Sequence, residues 1–195
     1  GEGGPQARRF RTEVSPFGSA ADASAASIAA LGALVPEDGE LWLLEPNLPT
    51  PPPGIEIAVA DMGVQLIAQS VSAEGRAPAI EELGEADAEE MRALALLTKP
   101  GPFLPRTHTL GRFLGVRENG RIVAMAGERL KPEGFIEISA VCTHPDYRGR
   151  GLGASLTRAV GARILADGLT PFLHTYAGNA GAIALYQRLG FAVRC

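Results

Sequence analysis

At 195 residues, with 46% apolar and 21% charged side chains, the chain has the profile of a soluble globular protein that can bury a sizeable core. A formal net charge of -4 argues against a broad nucleic-acid-binding surface, and no apolar run approaches the roughly 20 residues needed to cross a bilayer. Cys142 and Cys195 are the two cysteines, which provides neither a disulfide framework nor metal-ligand spacing, so a reduced, cytoplasmic setting without a metal is expected.

The opening stretch GEGGPQARR reads as mobile, and AADASAASIAALGAL, Ala20 to Leu34, as an alanine-rich helix with Ile28, Leu31 and Leu34 at helical spacing. ELWLLEP and GIEIAVA read as strands separated by the proline-rich NLPTPPPG, and VQLIAQS as a further strand. The polar passage VSAEGRAP marks a boundary near residue 77. Residues 1–77 are therefore expected to form a small amino-terminal α/β lobe that declares no chemistry of its own, and residues 78–195 the main domain.

Beyond that boundary the signals sharpen. IEELG predicts a short strand and EADAEEMRALALLTKPG a helix, capped near Asp87, lined on one face by Met91, Leu94, Ala95 and Thr98, and stopped at Pro100-Gly101. RFLGVRENGRIVAMAGERL predicts a hairpin, because Asn119-Gly120 is a strong two-residue turn signal. GFIEISAVCT is a long strand. A helix with Leu152, Leu156, Val160 and Ile164 in one stripe follows, then the strand TPFLHTYA, the helix NAGAIALYQRLG and a final strand FAVRC. Strands interrupted by helices define a mixed α/β class.

Chemistry concentrates in RGRGLGA, Arg148 to Ala154, where three alternating glycines open a helix. Gly149, Gly151 and Ala154 formally satisfy G-x-G-x-x-A, but THPDYR separates them from the preceding strand, and HTYAGN lacks the acid a dinucleotide site wants. A P-loop is excluded, since no Gly-Lys-Ser/Thr closes the turn. Two readings remain, a flexible surface turn and, preferred, a diphosphate cradle: backbone N–H groups at a helix mouth, unobstructed by Cβ atoms, with Arg148 and Arg150 adding positive charge.

Arg148, Gly151 and Gly153, read as R-x-x-G-x-G between a long strand and a helix, resemble the signature of the GNAT superfamily of acetyl-CoA-dependent N-acetyltransferases. HTYAGNAGAIALYQRLGF resembles the same family's next strand, Asn-led helix and Y-x-x-L-G-F ending, so the likeness covers roughly residues 79–195. GPFLPRTHTLGRFLGVRENGRIVAMAGERL further resembles a bacterial branch in which a degenerate amino-terminal lobe precedes the acetyltransferase core. The resemblance implies a GNAT fold, an α+β mixed sheet, and acetyl-CoA as co-substrate. It implies that main-chain groups of Val141, Cys142 and Thr143 bind the pantetheine arm, with the Val141 N–H as oxyanion donor. Arg148, Gly149, Arg150, Gly151, Leu152, Gly153 and Ala154 would hold the pyrophosphate, and Asn179 the pantetheine. Tyr186 is the implied general acid. Glu137 is the implied base, with Glu128 as rival, since strand alternation would put Glu137, Ser139, Val141 and Thr143 on one face. His174 reads equally as facing the cofactor or as a satisfied core histidine, His108 and His144 as loop residues, and Cys142 as a buried strand residue rather than a nucleophile.

The family usually adds one more strand after the segment matching GFAVR, so here that strand is either supplied differently or cut off. The expected activity is acetyl transfer to a primary amine by direct attack in a ternary complex. The alternatives are a non-catalytic acyl-CoA-binding protein and a nicotinamide dinucleotide enzyme. The acceptor is expected to be a small-molecule or peptide amine, with no nucleic-acid or membrane partner. The amino-terminal lobe would shape the acceptor pocket or support a homodimer.

Overall fold

Asn119 and Gly120 turn the chain as their sequence requires. In the computed structural model, which describes residues 1–72 and 78–195, both have positive φ, 51° and 78°. That geometry suits a two-residue loop between right-twisted strands. It joins β6 (Phe113–Glu118) to β7 (Arg121–Glu128), with Glu118 opposite Arg121.

These two strands belong to the larger of two compact units, Met62–Cys195. Around them lie β4 (Gly63–Ile67), β5 (Glu81–Leu83), α2 (Ala88–Thr98), β8 (Phe135–Thr143), α3 (Leu152–Ala166), β9 (Thr170–Tyr176), α4 (Ala180–Arg188) and β10 (Ala192–Val193). The strands form one sheet in the order β10-β4-β9-β8-β7-β6-β5. Every neighbouring pair is antiparallel except β8 with β9. Two separate apolar cores use alternate residues of these strands. Met91, Leu94 and Ala95 of α2 pack with Phe103, Phe113, Met125, Ala140 and Cys142. The predicted stripe Leu152, Leu156, Val160 and Ile164 of α3 packs with Leu114, Val116, Ile136, Ile138 and, from the last helix, Tyr186 and Leu189. Each fully buried aliphatic side chain contributes about 1.5–3 kcal/mol, so α3 is anchored chiefly by this stripe. Asp87 does not cap α2. Its carboxylate turns back to accept from the Gly84 N–H at 2.9 Å and pairs with Arg117 at 2.8 Å.

β4 enters the sheet from an unexpected place in the sequence. It lies between β9 and β10, antiparallel to both, with Gln65 opposite His174 and Leu66 opposite both Leu173 and Val193. The slot is filled by residues that precede the rest of the sheet in sequence. VQLIAQS is thus a strand, but one that belongs to the larger unit. The units divide between Asp61 and Met62, and the expected boundary near residue 77 lies outside the described residues.

The smaller unit, Gly1–Asp61, is a three-stranded antiparallel sheet of β1 (Glu2–Gly3), β2 (Ala7–Arg9) and β3 (Gly18–Ala20) with α1 (Ala25–Gly32). The first residues are therefore paired, not mobile: Glu2 lies opposite Arg9 in the ladder, and their side chains form an ion pair at 2.6 Å. The helix is shorter than its alanine content predicts, because Ser24 accepts from the Ser27 N–H and sets its start, leaving Leu34 beyond its end. ELWLLEP contributes a single bridge, Trp42 to Phe17, and GIEIAVA no strand at all, with Ile57 and Val59 exposed. An alternating apolar pattern becomes a strand only where an edge is free to pair with it.

Candidate functional site

The parallel pairing of β8 with β9 runs from Phe135 opposite Thr170 to Glu137 opposite Phe172 and stops there. β8 continues to Thr143 and β9 to Tyr176. Past Glu137 the ladder pairing of the two strands ends, and among the described residues no strand lies between them. This fork is the first element of the site.

A bulge in β8 is the second. Met125 pairs with Cys142 and Gly127 with Ser139, so Ala140 and Val141 together oppose Ala126. Ala140 carries the distortion in a left-handed conformation, φ 53°. An extra residue resets the alternation of side chains. Ile136, Ile138 and Val141 all face the core under α3, whereas Ala140 and Cys142 face α2. The expectation that Glu137, Ser139, Val141 and Thr143 share a face is therefore corrected: Glu137 and Val141 project from opposite sides of the sheet. Val141 Cγ1 and Thr143 Oγ1 lie beneath α3, each 3.7 Å from where a Cβ on Gly153 would stand.

The glycine turn is the third element. Arg148 is extended, Gly149 and Gly151 both have φ 76°, and α3 begins at Leu152. The first intrahelical bond runs from the Ser155 N–H to the Gly151 carbonyl at 3.0 Å. The N–H groups of Leu152, Gly153 and Ala154 thus precede the helical ladder and point out of its positive end. A Cβ on Gly149 or Gly151 would meet nothing within 4 Å, so open space fronts these donors. Such a nest of main-chain donors suits a phosphate group, and the residues present fit a diphosphate. Arg148 and Arg150 flank it. The Arg150 guanidinium sits 4.7 Å from the centroid of the Tyr147 ring and 3.4 Å from Glu118, while Arg148 Nε donates to the Thr143 carbonyl at 3.4 Å.

Glu137 is fully buried and heavily committed. Arg129 grips it with two hydrogen bonds, Nε to Oε2 at 2.8 Å and Nη2 to Oε1 at 2.6 Å. The Leu130 N–H approaches Oε2 at 3.4 Å, and His174 Nδ1 lies 2.7 Å from Oε1. Burial by itself pushes the carboxyl up, but the hydrogen bonds from Arg129 and His174 outweigh it and hold the group below the usual glutamate value. An ionised, doubly clamped carboxylate with no exposure is poorly placed to take a proton from a bound amine. Glu128 is no better. It is 2% exposed and paired with Arg112 at 2.9 Å and Lys131 at 2.8 Å, and these partners overcome burial to lower its pKa too.

His174, by contrast, is reachable, with 21% of its side chain exposed. Its Nε2 lies 3.1 Å from Gln65 Nε2, and Arg194 Nη1 donates to Gln65 Oε1 at 2.6 Å. Arg129, Gln65 and Arg194 escape sequence reasoning. Arg129 has no motif, and the other two meet His174 only through the unforeseen position of β4. His108 and His144 take no part in this cluster: His108 sits in a single tight turn against Glu85, and His144 accepts from the Asp146 N–H.

Tyr186 packs edge-on against Phe191, is 8% exposed, and is pushed up by burial, so the phenol keeps its proton. No described residue hydrogen-bonds its hydroxyl. Asn179 caps α4 through Oδ1, which accepts from the Ala182 N–H at 3.1 Å, leaving its amide N–H groups as the donors. The Cys142 thiol is buried and pushed up to about 11 by desolvation, which removes it as a nucleophile at neutral pH.

A family model described as FR47-like protein matches residues 113–195. A GNAT-family structure from Novosphingobium aromaticivorans superposes with a TM-score of 0.90 at 45% identity, covering 97% of this chain and 84% of that one. Mycothiol acetyltransferase of Saccharopolyspora erythraea is 36% identical over 83 residues, 42% of this chain and 27% of its own length. L-methionine sulfoximine/L-methionine sulfone acetyltransferase of Pseudomonas paraeruginosa is 36% identical over 93 residues, 47% of this chain and 51% of its own. The chain thus spans between about a quarter and a half of the length of these curated relatives. Across nearly its whole length, however, it shares sequence and fold with the Novosphingobium protein, and it belongs to the GNAT family of acetyltransferases.

Proposed function

We propose that this chain catalyses acetyl transfer from acetyl-CoA to a primary amine, by direct attack in a ternary complex. The observation that carries the reading is the continuity of the β8–β9 fork with the open, left-handed glycine turn at the head of α3. Acetyl-CoA supplies an activated thioester. The protein must hold it, stabilise charge on its carbonyl oxygen, and move two protons.

Residues 148–154 would bind the diphosphate through main-chain N–H groups, with Arg148 and Arg150 adding charge. Unpaired main-chain groups of Val141, Cys142 and Thr143 would hold the pantetheine arm, and the Asn179 amide would donate to it. A bulge leaves one residue without its ladder partner, which supports assigning the Val141 N–H to the thioester carbonyl oxygen. Tyr186, kept neutral by burial, would protonate the departing thiolate. Direct attack fits Cys142, whose buried thiol is no acyl carrier.

Calorimetry tests the reading. Saturable binding of acetyl-CoA at sub-millimolar concentration is expected, with CoA release when polyamines, amino acids or short peptides are supplied as acceptors. No binding of either CoA or acetyl-CoA would overturn it. One observation favours a second reading, a non-catalytic acyl-CoA-binding protein: the clamp on Glu137 removes the expected carboxylate base. Binding without turnover of any amine would select that reading. A nicotinamide dinucleotide is disfavoured by the turn at Pro145–Tyr147, which separates β8 from the glycines.

A further inference from the structure

Five polar side chains form an unbroken hydrogen-bonded row across the sheet. Arg194 follows β10, Gln65 lies on β4, His174 on β9 and Glu137 on β8, and Arg129 follows β7. The successive contacts are 2.6 Å from Arg194 to Gln65, 3.1 Å from Gln65 to His174, 2.7 Å from His174 to Glu137, and 2.6 and 2.8 Å from Glu137 to Arg129.

The protons in this row follow from its two ends. A guanidinium can only donate. Arg129 therefore requires a carboxylate at Glu137, and Glu137 Oε1 must accept from His174, which puts a proton on Nδ1. At the other end Arg194 takes the carbonyl oxygen of Gln65, so the Gln65 amide NH2 faces His174 Nε2. That nitrogen must then accept. Both ends demand the same state, a neutral imidazole protonated at Nδ1 with its lone pair at Nε2. The groups facing the ring are Glu137 from β8, Gln65 from β4 and Phe172 on its own strand, while Arg129 and Arg194 act through their neighbours.

We propose that His174 is the proton acceptor for the amine substrate, with Glu137 as its positioning residue and the Gln65–Arg194 pair as the device that sets which ring nitrogen presents its lone pair. The proposal rests on the acetyl-transfer reading above. As the substrate approaches, the neutral hydrogen bond from Gln65 gives way and Nε2 takes a proton from the substrate ammonium. The freed nitrogen lone pair forms the new C–N bond, the C–S bond breaks, the thiolate takes the Tyr186 proton, and the second proton lost from the nitrogen as the amide forms restores the Tyr186 phenol. The resulting imidazolium keeps its Nδ1–H on Glu137 and releases the Nε2 proton to solvent after the product leaves. Glu137 itself, with no exposure, never meets the substrate.

The chain has three histidines, so imidazole nitrogens can be assigned by 15N–13C correlation with a single variant. At neutral pH one ring is expected as the Nδ1–H tautomer, and its signals should vanish in His174→Gln. With acetyl-CoA and the best acceptor from the amine panel, His174→Gln should lower kcat/KM by about 10²-fold or more at unchanged acetyl-CoA affinity. Arg194→Leu frees Gln65 to turn its carbonyl toward Nε2, so the single Nδ1–H tautomer should give way to a mixture in the same spectrum, and an unchanged single tautomer would remove the Gln65–Arg194 pair from the proposal. A neutral Nε2–H tautomer, or parental kcat/KM in His174→Gln, would overturn the proposal while leaving acetyl transfer intact. Failure of the parent to bind acetyl-CoA would instead bring down the transfer reading, and this one with it.

Discussion

Leu66 stands opposite Leu173 on one side and Val193 on the other, so a residue from before the core of the sheet joins its last two strands. It is completely buried. Leu66→Ala should therefore cost about 2–5 kcal/mol in urea unfolding, the range for emptying a well-packed leucine site. A chain starting at Pro78 would lack β4, leaving β9 and β10 as unpaired edges, and should aggregate or unfold. Wild-type stability in either variant, measured by circular dichroism, would mean that the sheet closes without β4.

The glycine turn yields a prediction of opposite character, large in binding and small in stability. At Gly151, φ is 76° and nothing lies within 4 Å of an added Cβ. Gly151→Val should therefore meet only backbone strain, about 1–2 kcal/mol. Its side chain would nonetheless occupy the space before the helix donors, and acetyl-CoA binding should fall below detection by calorimetry. Retained affinity in a folded variant would remove the diphosphate from residues 148–154.

Glu137 should shape the acid response of the fold. The unfolded chain protonates this carboxyl near its ordinary value of 4.5, whereas the folded protein does so only at lower pH. Its contribution is thus complete above about pH 4.5 and is lost as the pH falls toward the lowered folded value. Glu137→Gln, which removes the buried carboxylate gripped by Arg129 and His174, should destabilise by about 1–3 kcal/mol at neutral pH. It should also flatten stability against pH below 4.5. Urea unfolding across that range checks both, and an unchanged acid slope would show that Glu137 is not the group being titrated.

What the sequence disclosed divides by range. The α3 stripe and the Asn119-Gly120 turn are local, fixed by period and by steric need, and both fold as read. The glycine turn was legible because absent side chains leave a mark in the sequence. The bulge left none: Ala140 takes a left-handed conformation with no glycine to announce it, and this one residue sends Glu137 and Val141 to opposite faces. Gln65 and Arg194 were illegible for a different reason. Each is unremarkable alone, and only the insertion of β4 between β9 and β10 brings them beside His174. The short strands β1 to β3, rich in Gly, Ala and Arg, lack the β-branched residues by which strands are recognised.

Tyr186 offers the clearest separation of chemistry from folding. Its ring is part of the larger core, but its hydroxyl has no hydrogen-bond partner among the described residues. Tyr186→Phe keeps the ring contact with Phe191 at a centroid distance of 6.2 Å and removes only the oxygen. Thermal and urea stability should stay within about 0.5 kcal/mol of the parent, the range of substitutions that touch no packing or buried partner. Acetyl-CoA affinity should hold as well. If the phenol protonates the leaving thiolate, kcat should fall by about 10²-fold or more, the usual worth of a positioned acid. The loss should be smallest at high pH, where a deprotonated phenol no longer serves the parent either. A variant equal to the parent in kcat across the pH range would leave Tyr186 as a core residue and require the thiolate to be protonated from solvent.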